Sequence, residues 1–253
     1  VTLFDAVSVA NILVEPGPQE ARWPVLLYNR GGNQKFGPLT PERVLRRLVP
    51  YAKAGYLVVA SQYRGGEGSE GEDEFGGADL DDVLQLPELL RSHPNADLDR
   101  IGMLGESRGG MMTYLALRRV NWIKAAISVA GFSDLERAAR LRPEMGELFR
   151  ERFGGGAEAV RERSSVHYAA DFHKGTPLLL LHGSADWRVS PLDSLDLSRA
   201  LLEHRAPHRL VLFEGGDHML SEHRQAVEGM MLDWLEAYLV QGRPWPSLDP
   251  HGP

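Results

Sequence analysis

Six apolar stretches, each running almost uninterrupted into turn residues, constrain this chain more than any other feature. They are WPVLLYN (Trp23–Asn29), GYLVVASQY (Gly55–Tyr63), IGMLGES (Ile101–Ser107), KAAISVAG (Lys124–Gly131), PLLLLHG (Pro177–Gly183) and RLVLFEGG (Arg209–Gly216). A strand with one wet face alternates apolar and polar residues. A strand covered on both faces has no need to, and continuous runs of this kind belong to parallel sheets. Helical patterns lie between the runs, over Pro41–Lys53, Asp79–Ser92, Arg108–Val120, Pro191–His204 and Met219–Val240. The last of these places Val227, Met230, Met231, Trp234, Leu235 and Tyr238 on one stripe. Strands alternating with helices over short connections predict an α/β fold: a mostly parallel, twisted sheet with helices on both faces. Phe4–Pro16 alternates in part and predicts one or two antiparallel edge strands. Residues 132–176 are charged and helical with no clear strand. They predict a short cap-like excursion over the carboxyl ends of the strands, where ligands bind in open α/β sheets. The proline-rich end, GRPWPSLDPHGP, predicts an extended surface segment.

The 253 residues are expected to form one domain spanning 1–253. A net charge of -7 argues against nucleic acid or an anionic membrane surface as a partner. No apolar run approaches the ~20 residues of a membrane-spanning helix. With no cysteine, disulfides, thiolate metal sites and a cysteine nucleophile are excluded. The expected location is cytoplasmic, with a removed leader left open by a first residue, Val1, that is not methionine.

Three glycines surround one serine in MLGESRGGMM, at Gly105, Gly109 and Gly110. Glycine is costly inside strands and helices, so this clustering needs a reason. The pattern G-x-S-x-G, between the strand IGML and the helix RGGMMTYLALRR, is that of a nucleophile elbow. In such a turn the serine stands clear of its neighbours, and the next backbone N–H, here that of Arg108, faces the developing oxyanion. An ordinary strand-to-helix turn is the bland alternative.

A serine hydroxyl needs a base to take its proton. Partners in this fold follow in the order serine, acid, histidine, each at a strand end. SADWRVSP places Asp186 just past PLLLLHG, and DHML places His218 just past RLVLFEGG. Asp217 is the chain neighbour of His218 and is assigned to the turn; Asp193 and Asp196 fall inside the following helix. His182 reads as a packed strand-end histidine. His204 and His208 have i, i+4 spacing without an H-E-x-x-H pattern, and no metal or organic cofactor is expected. Gly31 and Gly32, in the loop RGGNQKFG, are candidates for the second oxyanion donor, with the Tyr28 or Tyr63 hydroxyl as a substitute.

Gly66–Gly71 matches G-x-G-x-x-G after a strand, but no helix opens there and five carboxylates crowd the loop, which disfavours a pyrophosphate. The acidic run from Glu67 to Asp82 is expected to be a solvated loop leading into a helix start.

These blocks resemble the catalytic domain of the prolyl oligopeptidase family of serine peptidases, within the α/β-hydrolases. GESRGGMMTYLAL is similar to that family's G-x-S-x-G-G-x-x-T block, and SQYRGGEGSEGEDEFGGADLDDV to its Y-R-G-x-x-G-x-G stretch. PLLLLHGSADWRVSP is similar to its P-L-L-x-x-H-G-x-x-D-x-x-V block, and FEGGDHML to its histidine block. The resemblance runs from about Trp23 to Leu239. It implies Ser107, Asp186 and His218 as nucleophile, acid and base, and Arg108 with Gly31-Gly32 as oxyanion donors. The chain departs from the family in carrying Arg30 before the glycine pair and Arg108 after the serine, and no stretch reads as its propeller domain. Stand-alone domains of this type also resemble small esterases and dienelactone hydrolases. The expected substrate is therefore a small ester or a short peptide, with short esters turned over faster than matched anilides. Arg108 and the 132–176 excursion are the expected substrate filter. A binding protein with a vestigial triad is the alternative from another class.

Overall fold

In the computed structural model, residues 2–4, 7–17 and 21–252 are described. Nine strands and ten α-helices are assigned among them. Strands β1 (Thr2–Phe4) and β2 (Val7–Val9) form a small antiparallel pair. Strand β3 (Asn11–Val14) runs antiparallel to β5 (Leu57–Ser61) at the edge of the main sheet. The expected edge strands are present, although Asp5 and Ala6 within that stretch lie outside the described residues, as does Val1.

The main sheet has seven strands in the order β3-β5-β4-β6-β7-β8-β9, with β4 at Trp23–Asn29, β6 at Ala96–Glu106, β7 at Ile123–Val129, β8 at Leu178–Gly183 and β9 at His208–Phe213. Every pairing from β5 through β9 is parallel. All six apolar runs are strands. β4, β5 and β8 are buried along their whole length, as strands covered on both faces must be. Two apolar clusters form, one on each face. One holds Leu27, Met103, Met112 and Leu180; the other holds Leu26, Leu104, Leu179 and Trp234.

Two expected helices are each split. Pro41–Lys53 divides into α1 (Pro41–Arg47) and α2 (Val49–Lys53), and Asp79–Ser92 into α3 (Asp79–Leu84) and α4 (Leu86–Leu89). Pro50 and Pro87 sit just inside each second segment, where a proline lacks the N–H of a continuing helix and its ring opposes the carbonyl one turn back. Helix α5 (Arg108–Arg119) matches its expected span. Residues 132–176 contain α6 (Leu135–Leu141), α7 (Pro143–Phe153), α8 (Ala157–Glu162) and two short 3-10 turns. Helix α9 spans Pro191–Glu203. The final helix begins later than expected: α10 spans Arg224–Leu235 and runs on as a π-helical turn to Val240. Asp217 Oδ1 accepts from the N–H groups of Met219 and Ser221, which holds that stretch in a turn.

Candidate active site

Ser107 occupies the single residue between β6 and α5, with φ 57° and ψ -121°. A non-glycine residue pays for this backbone, and it persists only where the surroundings fix it. Here the Ser107 N–H donates to Val129 O at 2.8 Å, and its carbonyl accepts from Gly110 N at 2.9 Å. The glycines are there for closeness. A Cβ on Gly105 would sit 2.0 Å from Gly109 O, and one on Gly109 would sit 1.9 Å from Asn29 O. One on Gly110 would meet Ser128 Oγ at 2.3 Å. The helix therefore starts hard against the ends of β4 and β7, and Ser107 is left half-buried at the rim.

The acid and the histidine arrive on the loops after β8 and β9. His218 Nδ1 lies 2.7 Å from Asp186 Oδ2. The other carboxylate oxygen, Oδ1, accepts from the N–H groups of Arg188 (2.8 Å) and Val189 (3.1 Å). Burial on its own would raise the Asp186 carboxyl; hydrogen bonds from His182 and His218 outweigh it and hold the group well below the usual carboxylate range. His182 is fully buried in β8, as expected of a packed strand-end residue, but it is more than packing. Its Nε2 lies 3.2 Å from Asp186 Oδ2 and 3.1 Å from Val189 O, and its Nδ1 lies 2.7 Å from Ser194 Oγ. Nothing in its sequence position marks this contact beyond its place four residues before the acid.

Ser107 and His218 line the same two chambers, with no direct hydrogen bond between them. One chamber, about 290 Å³, has Phe75, Phe132, Met145 and Leu148 in its wall together with Arg142, Glu144 and Arg188. The other, about 300 Å³, reaches toward α1 and is lined by Tyr28, Arg43, Arg47, Glu106 and Arg188. Tyr28 donates its hydroxyl to Glu106 Oε2 at 2.8 Å, and Arg47 Nη1 lies 3.2 Å from Glu106 Oε1. A wider cleft of about 600 Å³ lies at the amino ends of the strands, beside Arg100, Lys124 and Trp245. It contains none of the candidate triad.

Gly31 packs directly on the serine: a Cβ there would sit 3.2 Å from Ser107 Cβ. The residue before it organises the loop. Arg30 is buried, and its guanidinium donates to the carbonyls of Gln62 (2.7 and 3.1 Å), Gly31 (3.1 Å), Gln34 (3.2 Å) and Phe36 (3.3 Å). Burial lowers its pKa to about 10, so it remains charged at neutral pH.

Two expectations change here. Tyr63 is fully buried and donates its hydroxyl to Arg30 O at 3.1 Å, so it lies beneath the cavity rather than in its wall. Arg108, expected as part of the substrate filter, contributes to the lining of the Phe75 chamber while its guanidinium is committed elsewhere. Its side chain turns inward, pairs with Asp73 at 2.6 Å and with Asp79, and donates to Gly32 O at 3.1 Å. Burial would lower the Arg108 pKa, and the two carboxylates outweigh it and raise it. The Arg30 and Arg108 guanidiniums flank the Tyr63 ring, each 4.9 Å from its centroid. The Arg108 backbone N–H stays available, as first-turn N–H groups have no partner within the helix.

The acidic run is correspondingly not all solvated. Asp73, Asp79 and Asp82 are buried, the last gripping Arg64 through both oxygens. A buried guanidinium needs counter-charges, and this run supplies them. Asp193, the rival acid, is also buried. It accepts from Ser133 N (2.8 Å), Asp134 N (3.1 Å) and Arg137 Nη1 (3.0 Å), clamping the start of the 132–176 segment to α9. His208 spends its ring nitrogens on Ser198 Oγ and Ala206 O, which removes it from any pair with His204. No helix among the described residues is long and apolar enough to cross a membrane.

The sequence profile of the prolyl oligopeptidase family matches residues 43–242. The chain is 29% identical over 239 residues to the "Uncharacterized peptidase YtmA" of Bacillus subtilis (strain 168), covering 92% of this chain and 91% of that protein. It is 27% identical over 262 residues to the acylamino-acid-releasing enzyme of Homo sapiens, covering 93% of this chain and 34% of that one. Among solved structures, the Pyrococcus horikoshii acylaminoacyl peptidase superposes with a TM-score of 0.78 at 26% identity, over 95% of this chain and 41% of its own. The chain thus spans most of one relative and about a third of the other. With a match over most of its length and the fold of a solved relative, the chain belongs to the prolyl oligopeptidase family and has the α/β-hydrolase fold of its serine peptidases.

Proposed function

We propose that the chain works as one α/β-hydrolase unit that cleaves short acyl esters and short peptides through an acyl-enzyme. The observation that carries the reading is the 2.7 Å contact from His218 Nδ1 to Asp186 on the cavity where Ser107 holds its strained turn. His218 takes the Ser107 proton as Oγ bonds to the carbonyl carbon, then returns it to the leaving oxygen or nitrogen as that bond breaks. Water, deprotonated by the same ring, splits the acyl-enzyme and regenerates the serine. Asp186 holds the ring in its productive tautomer and stabilises the cation that forms. The N–H groups of Arg108 and of the Gly31-Gly32 loop face the oxyanion. Peptides are favoured among the natural substrates by kinship: a related acylaminoacyl peptidase, 27% identical, is known in complex with Z-Gly-Gly-Phe-chloromethyl ketone.

The test is labelling with a fluorophosphonate. Wild type should label and Ser107→Ala should not, with kcat on a chromogenic ester down by at least ~10³-fold. Near-normal turnover by a clean Ser107→Ala preparation overturns the reading.

A further inference from the structure

Two segments far apart in the chain must meet at the oxyanion. One is the first turn of α5, which offers the Arg108 N–H; the other is the loop after β4, which carries Gly31 and Gly32. Their strands pair in register as far as Asn29 and Gly105. Beyond that point the Arg108 side chain ties the two segments together. Its Nη1 donates to Gly32 O at 3.1 Å and to Asp73 Oδ2 at 2.6 Å. The same Asp73 oxygen accepts the N–H of Gln34, further along the loop, at 2.7 Å. Asp73 Oδ1 accepts from Phe75 N at 2.9 Å. Asp79, which takes Arg108 Nη2, also accepts from the N–H groups of Gly76 and Gly77. The guanidinium is clamped between two rings, 4.9 Å from the Tyr63 centroid and 4.7 Å from that of Phe75. A buried ionic cluster often does no better for stability than well-packed apolar side chains of the same size. What a hydrogen-bonded one supplies is a fixed place for each group it holds.

We propose that Arg108 sets the width of the oxyanion hole: its backbone N–H is one donor, and its guanidinium, through Gly32 O and Asp73, holds the loop that supplies the other. The side chain is a positioning group and acts through the loop. Donors aimed at an oxyanion are effective because they are in place before the charge forms. A residue that is both donor and brace keeps them there. This inference rests on the serine-hydrolase reading above and adds the source of its preorganisation.

Every substitution at Arg108 other than proline keeps the backbone N–H, so side-chain variants isolate the brace. The experiment compares Arg108→Met, Arg108→Lys and Asp73→Asn with Asp82→Asn, which breaks a buried pair with Arg64 and bonds to neither Gly32 nor Gln34. Turnover of a chromogenic ester is measured well below each melting temperature. The second measurement is affinity for a trifluoromethyl ketone against that for the matching methyl ketone. Ser107 Oγ bonds to the fluoroketone carbon, the serine proton passes to His218, and the carbonyl oxygen becomes the anion that the two N–H groups hold. The methyl ketone reports ground-state binding. Arg108→Met should lose about 10²-fold in kcat at nearly constant KM, and a similar factor in fluoroketone affinity, with methyl ketone binding unchanged. Arg108→Lys keeps a charge without the fork, and Asp73→Asn keeps the shape without the charge. Each should lose about 10-fold in the same two quantities, and they carry the test if Arg108→Met does not fold. Asp82→Asn should lower the melting temperature with neither loss. Folded Arg108 and Asp73 variants with wild-type kcat overturn the brace. So does an equal fall in methyl ketone binding, or the same kinetic loss in Asp82→Asn. In each case Ser107-dependent fluorophosphonate labelling of wild type leaves the hydrolase reading standing. No labelling and no turnover by wild type would remove both readings together.

Discussion

His182 and His218 converge on one oxygen of Asp186, at 3.2 and 2.7 Å. The carboxylate is thereby held from both sides: from inside the sheet by a fully buried ring, and from the cavity by the ring that faces Ser107. His182 Nε2 faces two acceptors, Asp186 Oδ2 and Val189 O, which calls for a proton on that nitrogen, and its Nδ1 lies 2.7 Å from Ser194 Oγ. Its expected role is positioning. His182→Phe should lower kcat by roughly 10- to 100-fold with a much smaller change in KM, the scale of losing one buried partner of a charge. His182→Gln keeps a donor at that place and should recover part of the loss. Equal damage from both variants, in KM as much as in kcat, would mean that His182 only fills space.

Asp186→Asn should lower kcat by ~10⁴-fold, because an amide turned toward His218 selects the wrong tautomer. Asp193→Asn removes a buried clamp rather than a partner of His218, so it should reduce thermal stability while leaving most of the turnover per folded molecule. Melting curves and active-site titration of the two variants separate these outcomes.

Asp186 also predicts a pH dependence of stability. Its carboxyl is held below the usual range in the fold, so the unfolded chain takes up that proton first as the pH falls. The stabilisation is complete above about pH 5 and shrinks as the pH drops through about 4 toward the native value. Urea unfolding of wild type and Asp186→Asn should show a stability gap that narrows between about pH 5 and 3. A gap of constant size over that interval counts against the assignment.

Arg30→Lys tests the loop that carries Gly31 and Gly32. A lysine ammonium has no fork with which to reach the carbonyls of Gln62, Gly31, Gln34 and Phe36 together. Stability should fall by about 2 kcal/mol. Displacement of an oxyanion donor should lower kcat by about 10²-fold at nearly constant KM. Unchanged kcat in a folded Arg30→Lys protein would separate this loop from the oxyanion.

Gly109→Ala should be among the most damaging single-methyl changes in the chain. Its Cβ would fall 1.9 Å from Asn29 O, a backbone atom of a central strand that cannot step aside. A loss of about 3 kcal/mol or more is expected, with poor soluble yield. Gly229→Ala, where a Cβ meets nothing within 4 Å on exposed α10, is the matched control and should be neutral or mildly stabilising.

Much of this was legible from the residues alone. Continuous apolar runs require cover on both faces, so the parallel strands and the order Ser107, Asp186, His218 at their ends could be read without coordinates. What sequence could not show was the direction of long charged side chains. Arg108 turns inward because Asp73 and Asp79, 35 and 29 residues earlier in the chain, are brought beneath it by the loop after β5. That pairing is a property of the assembled sheet. The same holds for Tyr63, whose ring is claimed by two guanidiniums before its hydroxyl can reach the cavity. The breaks at Pro50 and Pro87, in contrast, are legible in the sequence, because a proline inside a helical pattern interrupts it whatever the apolar periodicity around it.

Polar ties join the 132–176 segment to the rest of the molecule along its length: Asp193 and Asp196 hold Ser133, Asp134 and Arg137, Arg142 donates to Arg188 O at 3.1 Å, Arg163 Nε donates to Phe75 O at 3.1 Å, and His173 N and Thr176 Oγ1 donate to Leu117 O (3.1 Å) and Ile123 O (2.6 Å). Met145 and Leu148 on α7 line the chamber walled by Phe75 and Phe132, whereas Ser107, Asp186, His218, Arg30 and Gly31 all sit on the sheet or its immediate loops. The α7 wall of that chamber and the candidate reacting groups thus lie on separable parts of the chain. An engineer can randomise the cavity face of α7 to change which side chain is accepted, keep the Asp193 clamp, and leave the reacting groups in register. Natural drift in the same helix would diversify diet before it dulled the blade.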